Sequence, residues 1–232
     1  MSRYLFAQAA PVAVPIRGRE ELFPLQRIFC VGRNYAAHAR EMGAEPDREA
    51  PFYFNKSAHH YVASGSAIPY APETSNFQYE MELVVAIGTG GFRIEVADAL
   101  DHVFGYACGF DMTRRDIQFA LREKQRPWDL AKDFENAAVL AEIVPASVTG
   151  HPAKGLVQLK LNGEVKQSGD LSDLIHPVPA LIAHLSRYYH LMPGDIIYTG
   201  TPEGVGPVKP GDRLEGMVEG VGNITLDIGP AE

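Results

Sequence analysis

Clustered positive charge is scarce in this sequence. The 232 residues include 29 acidic side chains against 21 lysines and arginines, which gives a formal net charge of −8. No run of consecutive basic residues is longer than the pair Arg114-Arg115. Proteins that bind nucleic-acid backbones carry patches of lysine and arginine, so we do not expect a nucleic-acid partner.

Long apolar runs are also missing. A membrane-spanning helix needs roughly 20 consecutive apolar residues, and no run in the chain approaches that length. The first residues, MSRYLFAQAAPVAVP, carry one arginine, but their apolar core is too short and too interrupted for a signal peptide. We therefore expect no interaction with a membrane.

Cysteine is rare. Only Cys30 and Cys108 occur, each in an apolar stretch and neither with a second cysteine at metal-ligand spacing. We expect both to be small core residues of a protein in a reducing compartment, which favours the cytoplasm. The rest of the composition, with 46% hydrophobic and 22% charged residues, is that of an ordinary globular protein.

The sequence predicts a short lead followed by one domain. Residues 1–20 contain prolines but no sustained hydrophobic period, which indicates an N-terminal extended arm. Residues 21–232 form the predicted single domain, because no linker, repeat or low-complexity tract divides them.

Short strands dominate the predicted secondary structure. RIFCVG is expected to be a buried strand, residues 79–88 a longer one, and closely spaced turn signals such as NGE, PGD and KPGD divide the C-terminal third into further strands. Helices are predicted at RNYAAHAREMG, with Asn34 as N-cap and Gly43 as the stop, at EVADALDHV and at RRDIQFALREKQ. The pattern favours a mainly β, α+β chain built as a roll or barrel, with a few short helices.

Two glutamates mark the long predicted strand. Side chains alternate along a strand, so Glu80 and Glu82 share one face of a largely apolar element, and Asp111 ends a later apolar strand. Three carboxylates are hard oxygen ligands of the kind that Mg²⁺, Mn²⁺ or Ca²⁺ prefers. The alternative is that both glutamates face solvent. Zinc is less expected, because the eight histidines form none of the usual zinc motifs.

The first predicted helix carries a second feature. His38 and Glu41 stand at positions i and i+3, so the carboxylate can orient the imidazole as a base for water. The alternative is a pair of ordinary surface residues. The glycine-rich segment TGTPEGVGP lacks the following lysine of a phosphate-binding loop, and it is interpreted as a turn near a ligand.

Taken together, these segments resemble the fumarylacetoacetate hydrolase family. The matching pieces are RIFCVGRNYAAHAREMG, PFYFNKS, YEMELVVAIG, GYACGFDMTRRDIQ, RPWDLAKDF, LNGEVKQSGD and PGDIIYTGTPEGVGPVKPGD. The resemblance implies a mixed β-roll, a homodimer, and one divalent cation per subunit, Mg²⁺ or Mn²⁺. Within the family the chain is similar to the small, single-domain fumarylpyruvate hydrolases and acylpyruvases.

The same resemblance implies a role for individual residues. Glu80, Glu82 and Asp111 match the metal carboxylates, and His38 and Glu41 match the water-activating pair. The other site residues fall where the family stabilises developing charge, namely Gln118 and Lys132, or binds substrate, namely Arg115, Lys56, Thr201 and Gly200.

The expected reaction is metal-dependent hydrolysis of a carbon–carbon bond in a 2,4-diketo acid. Fumarylpyruvate is the expected substrate, giving fumarate and pyruvate as in aromatic degradation through gentisate. Two alternatives use the same metal site: decarboxylation of an oxaloacetate-like 2-oxo acid, and a general acylpyruvase. A third is a non-catalytic β-roll module that binds a metal and a carboxylate ligand.

Fumarylpyruvate carries a second carboxylate at the far end of its acyl group, which requires a local cation in this acidic protein. The sequence offers several candidates for that cation and does not choose among them. They are Arg114, Arg115, Lys56 and the histidine pair His59-His60.

Overall fold

A computed structural model describes residues 5–7, 10–43 and 50–231 of the chain. The strands in chain order are β1 (Ala13–Pro15), β2 (Leu22–Pro24), β3 (Ile28–Gly32), β4 (Phe52–Lys56), β5 (Tyr61–Ala63), β6 (Ala67–Tyr70), β7 (Phe77–Tyr79), β8 (Met81–Ile87), β9 (Val103–Asp111), β10 (Thr113–Arg114), β11 (Ala138–Leu140), β12 (Val144–Pro145), β13 (Leu156–Leu161), β14 (Glu164–Asp170), β15 (Ile196–Tyr198), β16 (Gly206–Pro207), β17 (Arg213–Val218) and β18 (Gly222–Ala231). The α-helices are α1 (Ala36–Glu41), α2 (Arg115–Glu123), α3 (Asp129–Lys132), α4 (Ala146–Thr149) and α5 (Val178–Leu185). The 3₁₀ turns are Ala58–His60, Ala99–His102 and Leu171–Asp173.

Two mixed sheets make up most of the molecule. The larger has the strand order β4-β3-β15-β8-β9-β11-β5, with β12 also pairing with β9, and the second has the order β14-β13-β17-β18-β6. Smaller sheets have the orders β10-β7-β16 and β1-β2. The expected mainly β, α+β architecture, a mixed β-roll with a few short helices, is confirmed.

The central strand β8 separates two hydrophobic cores. Met81, Leu83 and Val85 belong to one core, together with side chains of the five-stranded sheet, whereas Val84 and Ala86 belong to the other. All seven residues of β8 are buried, because both faces of the strand are covered. The predicted strand over 79–88 is divided at Glu80, which lies between β7 and β8.

The N-terminal segment contributes to the second core. β1 pairs antiparallel with β2, and Val14 and Phe23 are buried against the outer face of the large sheet. The predicted arm of residues 1–20 and the predicted domain of residues 21–232 therefore share a strand pair. Residues 1–4 and 8–9 of the arm lie outside the described residues.

The helices are shorter than the sequence pattern indicates. The helix expected over RNYAAHAREMG is α1, and its N-cap is Tyr35 rather than Asn34. The Asn34 side chain instead donates to the Thr199 and His176 carbonyls, at 2.8 and 3.0 Å, which ties the start of α1 to two distant loops. Gly43 has the expected left-handed φ of 68° just after the helix.

The other two predicted helices differ in outcome. The helix predicted over RRDIQFALREKQ is present as α2, whereas EVADALDHV contains only the 3₁₀ turn Ala99–His102. In the described part of the chain, no helix combines the length and the apolar character needed to cross a membrane.

Candidate metal centre and active site

Three buried carboxylates meet where β8 and β9 run side by side. The antiparallel register pairs Met81 with Phe110, and the Asp111 amide donates to the Glu80 carbonyl at 2.9 Å. This register brings the three side chains together, so that one oxygen from each of Glu80, Glu82 and Asp111 lies within 4.8 Å of the others. Their exposures are 5%, 1% and 0%, so neither glutamate faces solvent.

Lysine side chains neutralise part of this charge. Lys132 Nζ donates to Glu80 Oε2 at 2.8 Å, to Asp111 Oδ2 at 2.8 Å and to Thr113 Oγ1 at 2.7 Å. Burial would lower the pKa of Lys132, but Asp111 and Glu80 outweigh burial and raise it, so the ammonium stays charged. Lys56 Nζ forms an ion pair with Asp111 Oδ1 at 2.8 Å.

Arg115 supports Glu80 from the first turn of α2. Its guanidinium donates to Glu80 Oε1, to Gln118 Oε1 at 2.6 Å and to Gln78 Oε1 at 2.8 Å. Burial would raise the pKa of Glu80, but the charges of Lys132 and Arg115 together lower it well below its usual range. Glu80 is therefore ionised before any ligand binds.

The negative charge of Glu82 is less well compensated than that of Glu80. Its burial, followed by the charges of Asp111 and Glu80, raises its pKa well above the usual range. The Gly200 amide donates to Glu82 Oε2 at 2.6 Å. Among the described residues, Asp111 Oδ1 is a buried oxygen that accepts no hydrogen bond, although Lys56 lies near it.

These observations fit a divalent cation. Three hard oxygen ligands converge, and burial and the neighbouring carboxylates disfavour the charge of Glu82, which a cation would stabilise. Glu80, Glu82 and Asp111 are the residues that would hold Mg²⁺ or Mn²⁺.

His38 and Glu41 form a dyad on one face of α1. The His38 Nδ1 atom lies 3.0 Å from Glu41 Oε2, and the Gly204 amide donates to Glu41 Oε1 at 3.0 Å. Burial opposes ionisation of Glu41, but the hydrogen bonds from His38 and Gly204 outweigh it and lower its pKa. The ionised carboxylate fixes the proton on Nδ1, so Nε2 is left as the basic nitrogen of the ring.

One cavity brings most of the predicted site together. The predicted site residues that line it are His38, Glu80, Glu82, Arg115, Gln118, Lys132 and Thr201. Asp111 and Glu41 lie behind this lining, in contact with Lys132 and His38 respectively.

Two residues predicted to bind substrate have other contacts. Lys56 Nζ donates to the carbonyls of Met112, at 3.1 Å, and Lys132, and it does not line the cavity. Gly200 holds Glu82 through its amide, and its φ of 103° suits glycine. A Cβ on Gly200 would lie 2.7 Å from the Asn34 Cβ atom, so the close packing also requires glycine.

Of the other candidates for the distal carboxylate, Arg115 lines the cavity, whereas Arg114, His59 and His60 lie away from it. His60 Nδ1 is 2.6 Å from Asp133 Oδ1, beside the exposed His59. Arg114 stacks over the Phe134 ring, with 4.2 Å from Cζ to the ring centre. His176, whose role the sequence left open, exchanges backbone hydrogen bonds with the Asn34 side chain.

Sequence reasoning missed several residues of the site. Gln167 is fully buried and connects two site segments, because its Oε1 accepts from the Met81 amide at 3.0 Å and its Nε2 donates to Thr201 Oγ1 at 2.8 Å. The remaining members of this group lie in the cavity wall or against its polar side chains: Arg33, Met42, Phe54, Gln78, Thr113, Phe119, Arg122 and Trp128. Most of these residues lie in segments that carry the family resemblance, which was the available signal in the sequence. They are Arg33, Met42, Phe54, Thr113, Trp128 and Gln167.

The chain is similar to proteins of known activity. It is 51% identical over 193 residues to fumarylpyruvate hydrolase of a Ralstonia species, covering 82% of this chain and 100% of that protein. It is 40% identical over 203 residues to the human mitochondrial oxaloacetate tautomerase, covering 88% of this chain and 91% of that protein.

Solved structures give the same relationship. The fold matches the crystal structure of fumarylpyruvate hydrolase from Pseudomonas aeruginosa in complex with Mn²⁺ and pyruvate, with a TM-score of 0.96, 46% identity, and coverage of 98% of this chain and 100% of that one. Residues 27–228 match the family described as "Fumarylacetoacetate (FAA) hydrolase C-terminal". The chain belongs to the fumarylacetoacetate hydrolase family.

Proposed function

We propose that this protein is a divalent-metal-dependent hydrolase that cleaves fumarylpyruvate to fumarate and pyruvate. The observation that carries the proposal is that His38, backed by Glu41, lines the same cavity as Glu80 and Glu82. A base for water and a hard metal centre are the two elements that this hydrolysis needs. The relatives named fumarylpyruvate hydrolase, at 51% and 46% identity, support the choice of substrate.

The metal cluster has a defined role in this proposal. When a divalent cation is bound by Glu80, Glu82 and Asp111, it supplies a Lewis acid for the carboxylate and 2-oxo oxygens of the pyruvoyl group. Arg115 and Gln118 line the cavity beside the cluster and fix the orientation of the same end of the substrate.

Water activation is assigned to the dyad. His38 Nε2 takes a proton from water while Nδ1 keeps its hydrogen bond to Glu41, whose negative charge stabilises the imidazolium that forms. The water oxygen bonds to C4 of the substrate, and the C4 carbonyl oxygen becomes an oxyanion. Collapse of this adduct breaks the C3–C4 bond and leaves its electron pair on C3, which takes up the proton held by His38. The new carboxyl group loses its proton to solvent, and fumarate and pyruvate leave.

Gln118 is the side chain best placed to donate to the oxyanion. Its Oε1 accepts from Arg115 at 2.6 Å, which fixes the amide so that the NH₂ group is left to donate. All three protons of Lys132 already have acceptors on Glu80, Asp111 and Thr113. Lys132 therefore contributes positive charge to the oxyanion and gives it a direct hydrogen bond only after releasing one of these partners.

Two alternatives keep the same centre. The human relative is named oxaloacetate tautomerase, so oxaloacetate or a related 2-oxo diacid is the alternative substrate, for decarboxylation or for proton transfer at C3. Neither reaction needs an activated water. A general acylpyruvase is the other alternative, and it would act on fumarylpyruvate and acetylpyruvate alike.

A substrate panel tests the proposal. Pyruvate release from fumarylpyruvate, acetylpyruvate and oxaloacetate is measured with Mg²⁺ or Mn²⁺ present, and His38→Ala is assayed in parallel. We expect fumarylpyruvate to give the highest kcat/KM and the variant to lose hydrolysis. Turnover of oxaloacetate alone, retained in the variant, would support the decarboxylase or tautomerase alternative instead.

We also propose a cytoplasmic homodimer. Two buried free cysteines, Cys30 and Cys108, suit a reducing compartment. A group of exposed apolar side chains suits a subunit interface. The exposed Phe92 ring stacks on His190 with 4.1 Å between ring centres, and the exposed Tyr188 and Met192 lie two positions before and after that histidine in sequence. Sedimentation equilibrium tests the dimer, and a monomer at micromolar concentration would contradict it.

A further inference from the structure

Two arginines in the cavity take no part in the metal cluster. Arg33 and Arg122 line the same cavity as His38 and Glu80. The cations of the cluster are already committed to its carboxylates, whereas the guanidinium groups of Arg33 and Arg122 pair with no carboxylate among the described residues. The cavity therefore holds a second set of positive charges with capacity for an anion.

Arg33 is held in place by backbone and ring contacts. Its φ of 55° is in the left-handed region, which residues with a Cβ adopt rarely. Its Cζ lies 5.7 Å from the centre of the Phe52 ring. A Cβ on the preceding Gly32 would come within 2.0 Å of Phe52 Cζ, so a side chain there would displace the ring that supports the guanidinium.

Arg122 is held by contacts with the end of α1. Its Nη1 donates to the Met42 carbonyl at 2.7 Å and its Nη2 to the Gly43 carbonyl at 3.3 Å, directly after α1. A guanidinium has five N–H donors, so these two bonds leave others for a ligand. Burial and then the charge of Arg122 lower the pKa of Arg33, which means that the two like charges are close enough to repel.

We propose that Arg33 and Arg122 together bind the distal carboxylate of the acyl group and so determine the preference for a dicarboxylic acylpyruvate. This inference rests on the proposed function. Arg115, Gln118 and the metal cluster occupy the pyruvoyl end of the substrate, which leaves these two guanidinium groups for the other carboxylate. Each guanidinium group is planar and matches a carboxylate geometrically, and a bound carboxylate would relieve the repulsion between the two arginines.

Kinetics with matched substrates test the inference. Arg33→Gln, Arg122→Gln and the control Arg40→Gln, whose side chain is exposed on α1, are assayed with fumarylpyruvate and with acetylpyruvate, which lacks the distal carboxylate. We expect Arg33→Gln to lower kcat/KM for fumarylpyruvate by about 10-fold to 150-fold, the range for a hydrogen bond to a charged group, and to leave acetylpyruvate within about two-fold. The control should change neither value.

Inhibition separates binding from catalysis. Fumarate and crotonate differ only in the distal carboxylate, which crotonate replaces with a methyl group. We expect the inhibition constant of fumarate to rise in Arg33→Gln and Arg122→Gln by about the same 10-fold to 150-fold, and that of crotonate to stay unchanged. This readout remains informative if Arg122→Gln also displaces the base on α1.

The outcomes distinguish the inference from the proposed function. If wild-type protein hydrolyses both substrates and neither variant changes the ratio of the two kcat/KM values, the arginine assignment is overturned and the hydrolase assignment stays intact. An equal loss for both substrates and both inhibitors would assign the arginines to the fold or to the pyruvoyl end, and would also overturn it. Wild-type protein that hydrolyses neither substrate would overturn the proposed function and this inference with it.

Discussion

The Gly204 amide and the His38 ring share Glu41. One carboxylate oxygen of Glu41 accepts from Gly204 at 3.0 Å, and the other lies 3.0 Å from His38 Nδ1. The orientation of the imidazole is therefore fixed by a loop that is 163 residues away in sequence.

Removal of the base should impair catalysis rather than binding. His38→Ala is expected to lower kcat by about 10²-fold to 10⁴-fold with little change in KM, because proton abstraction contributes only in the transition state. Glu41→Gln should lower kcat less, since the ring keeps Nε2. Steady-state kinetics with fumarylpyruvate measure both, and His59→Ala, outside the cavity, is the control. A change confined to KM would assign the dyad to binding.

Metal removal should abolish turnover, and Glu82 should control metal affinity. Burial and the neighbouring carboxylates disfavour the charge of Glu82, so the neutral Glu82→Gln is expected to keep or raise the Tm of the metal-free protein. At an Mn²⁺ concentration 100 times the Kd of wild-type protein, the metal should raise the free energy of unfolding of wild type by about 2.7 kcal/mol. The same concentration should raise that of the variant by less. Thermal unfolding with and without Mn²⁺ measures this. Full activity after chelation, with metal absence verified by elemental analysis, would refute the metal centre.

Lys132 should be a major contributor to stability. Lys132→Met leaves Glu80 and Asp111 buried without their shared cation, and breaking such a buried pair typically costs about 3–5 kcal/mol. The free energy of unfolding in urea measures the loss. Lys124→Met, at an exposed position after α2, should stay within about 0.5 kcal/mol of wild type. Equal stability of the two variants would mean that Lys132 contributes no net stabilisation.

Asp116, in the first turn of α2, accepts hydrogen bonds from Thr74 and Ser75, and these contacts should make stability dependent on pH. Burial opposes its ionisation, but the Thr74 hydroxyl and the Ser75 and Ile117 amides outweigh burial and lower its pKa. A lowered folded-state pKa stabilises the protein above the unfolded value of about 3.9, and that stabilisation is lost as the pH falls through the folded pKa.

The variant Asp116→Asn isolates this contribution. At pH 7 we expect it to be less stable than wild type by about 0.5–2 kcal/mol, as for loss of other carboxylate–amide contacts at helix starts. The difference should shrink as the pH is lowered from 5 to 3, because wild type then loses the same charge. Urea unfolding of both proteins across this range measures it. A difference that is constant with pH would assign the effect to packing.

Local patterns were sufficient for part of the site. The alternation of a strand predicts that Glu80 and Glu82 share a side, and the spacing of a helix predicts that His38 meets Glu41. Both predictions need only neighbouring residues, and the structure has both contacts.

The other contacts depend on distant segments. Lys56 follows an apolar strand, and nothing in its neighbourhood indicates that Asp111, 55 positions later, will pair with its ammonium. Likewise, the contact of the Arg33 guanidinium with the Phe52 ring joins two segments that are separate in sequence. Asn34 looks like an N-cap by residue type, but its amide satisfies the Thr199 carbonyl, a partner known only once the chain has folded.

The small size of α1 affects how His38, the proposed base, is held in position. A six-residue helix without a side-chain N-cap is far below the roughly 12–15 residues needed for marginal stability alone. Its position is supported from outside the helix by Gly204, by Arg122 and by the contacts of Asn34. Substitutions in the distant segments that hold α1 should therefore displace His38 without unfolding β8 and β9.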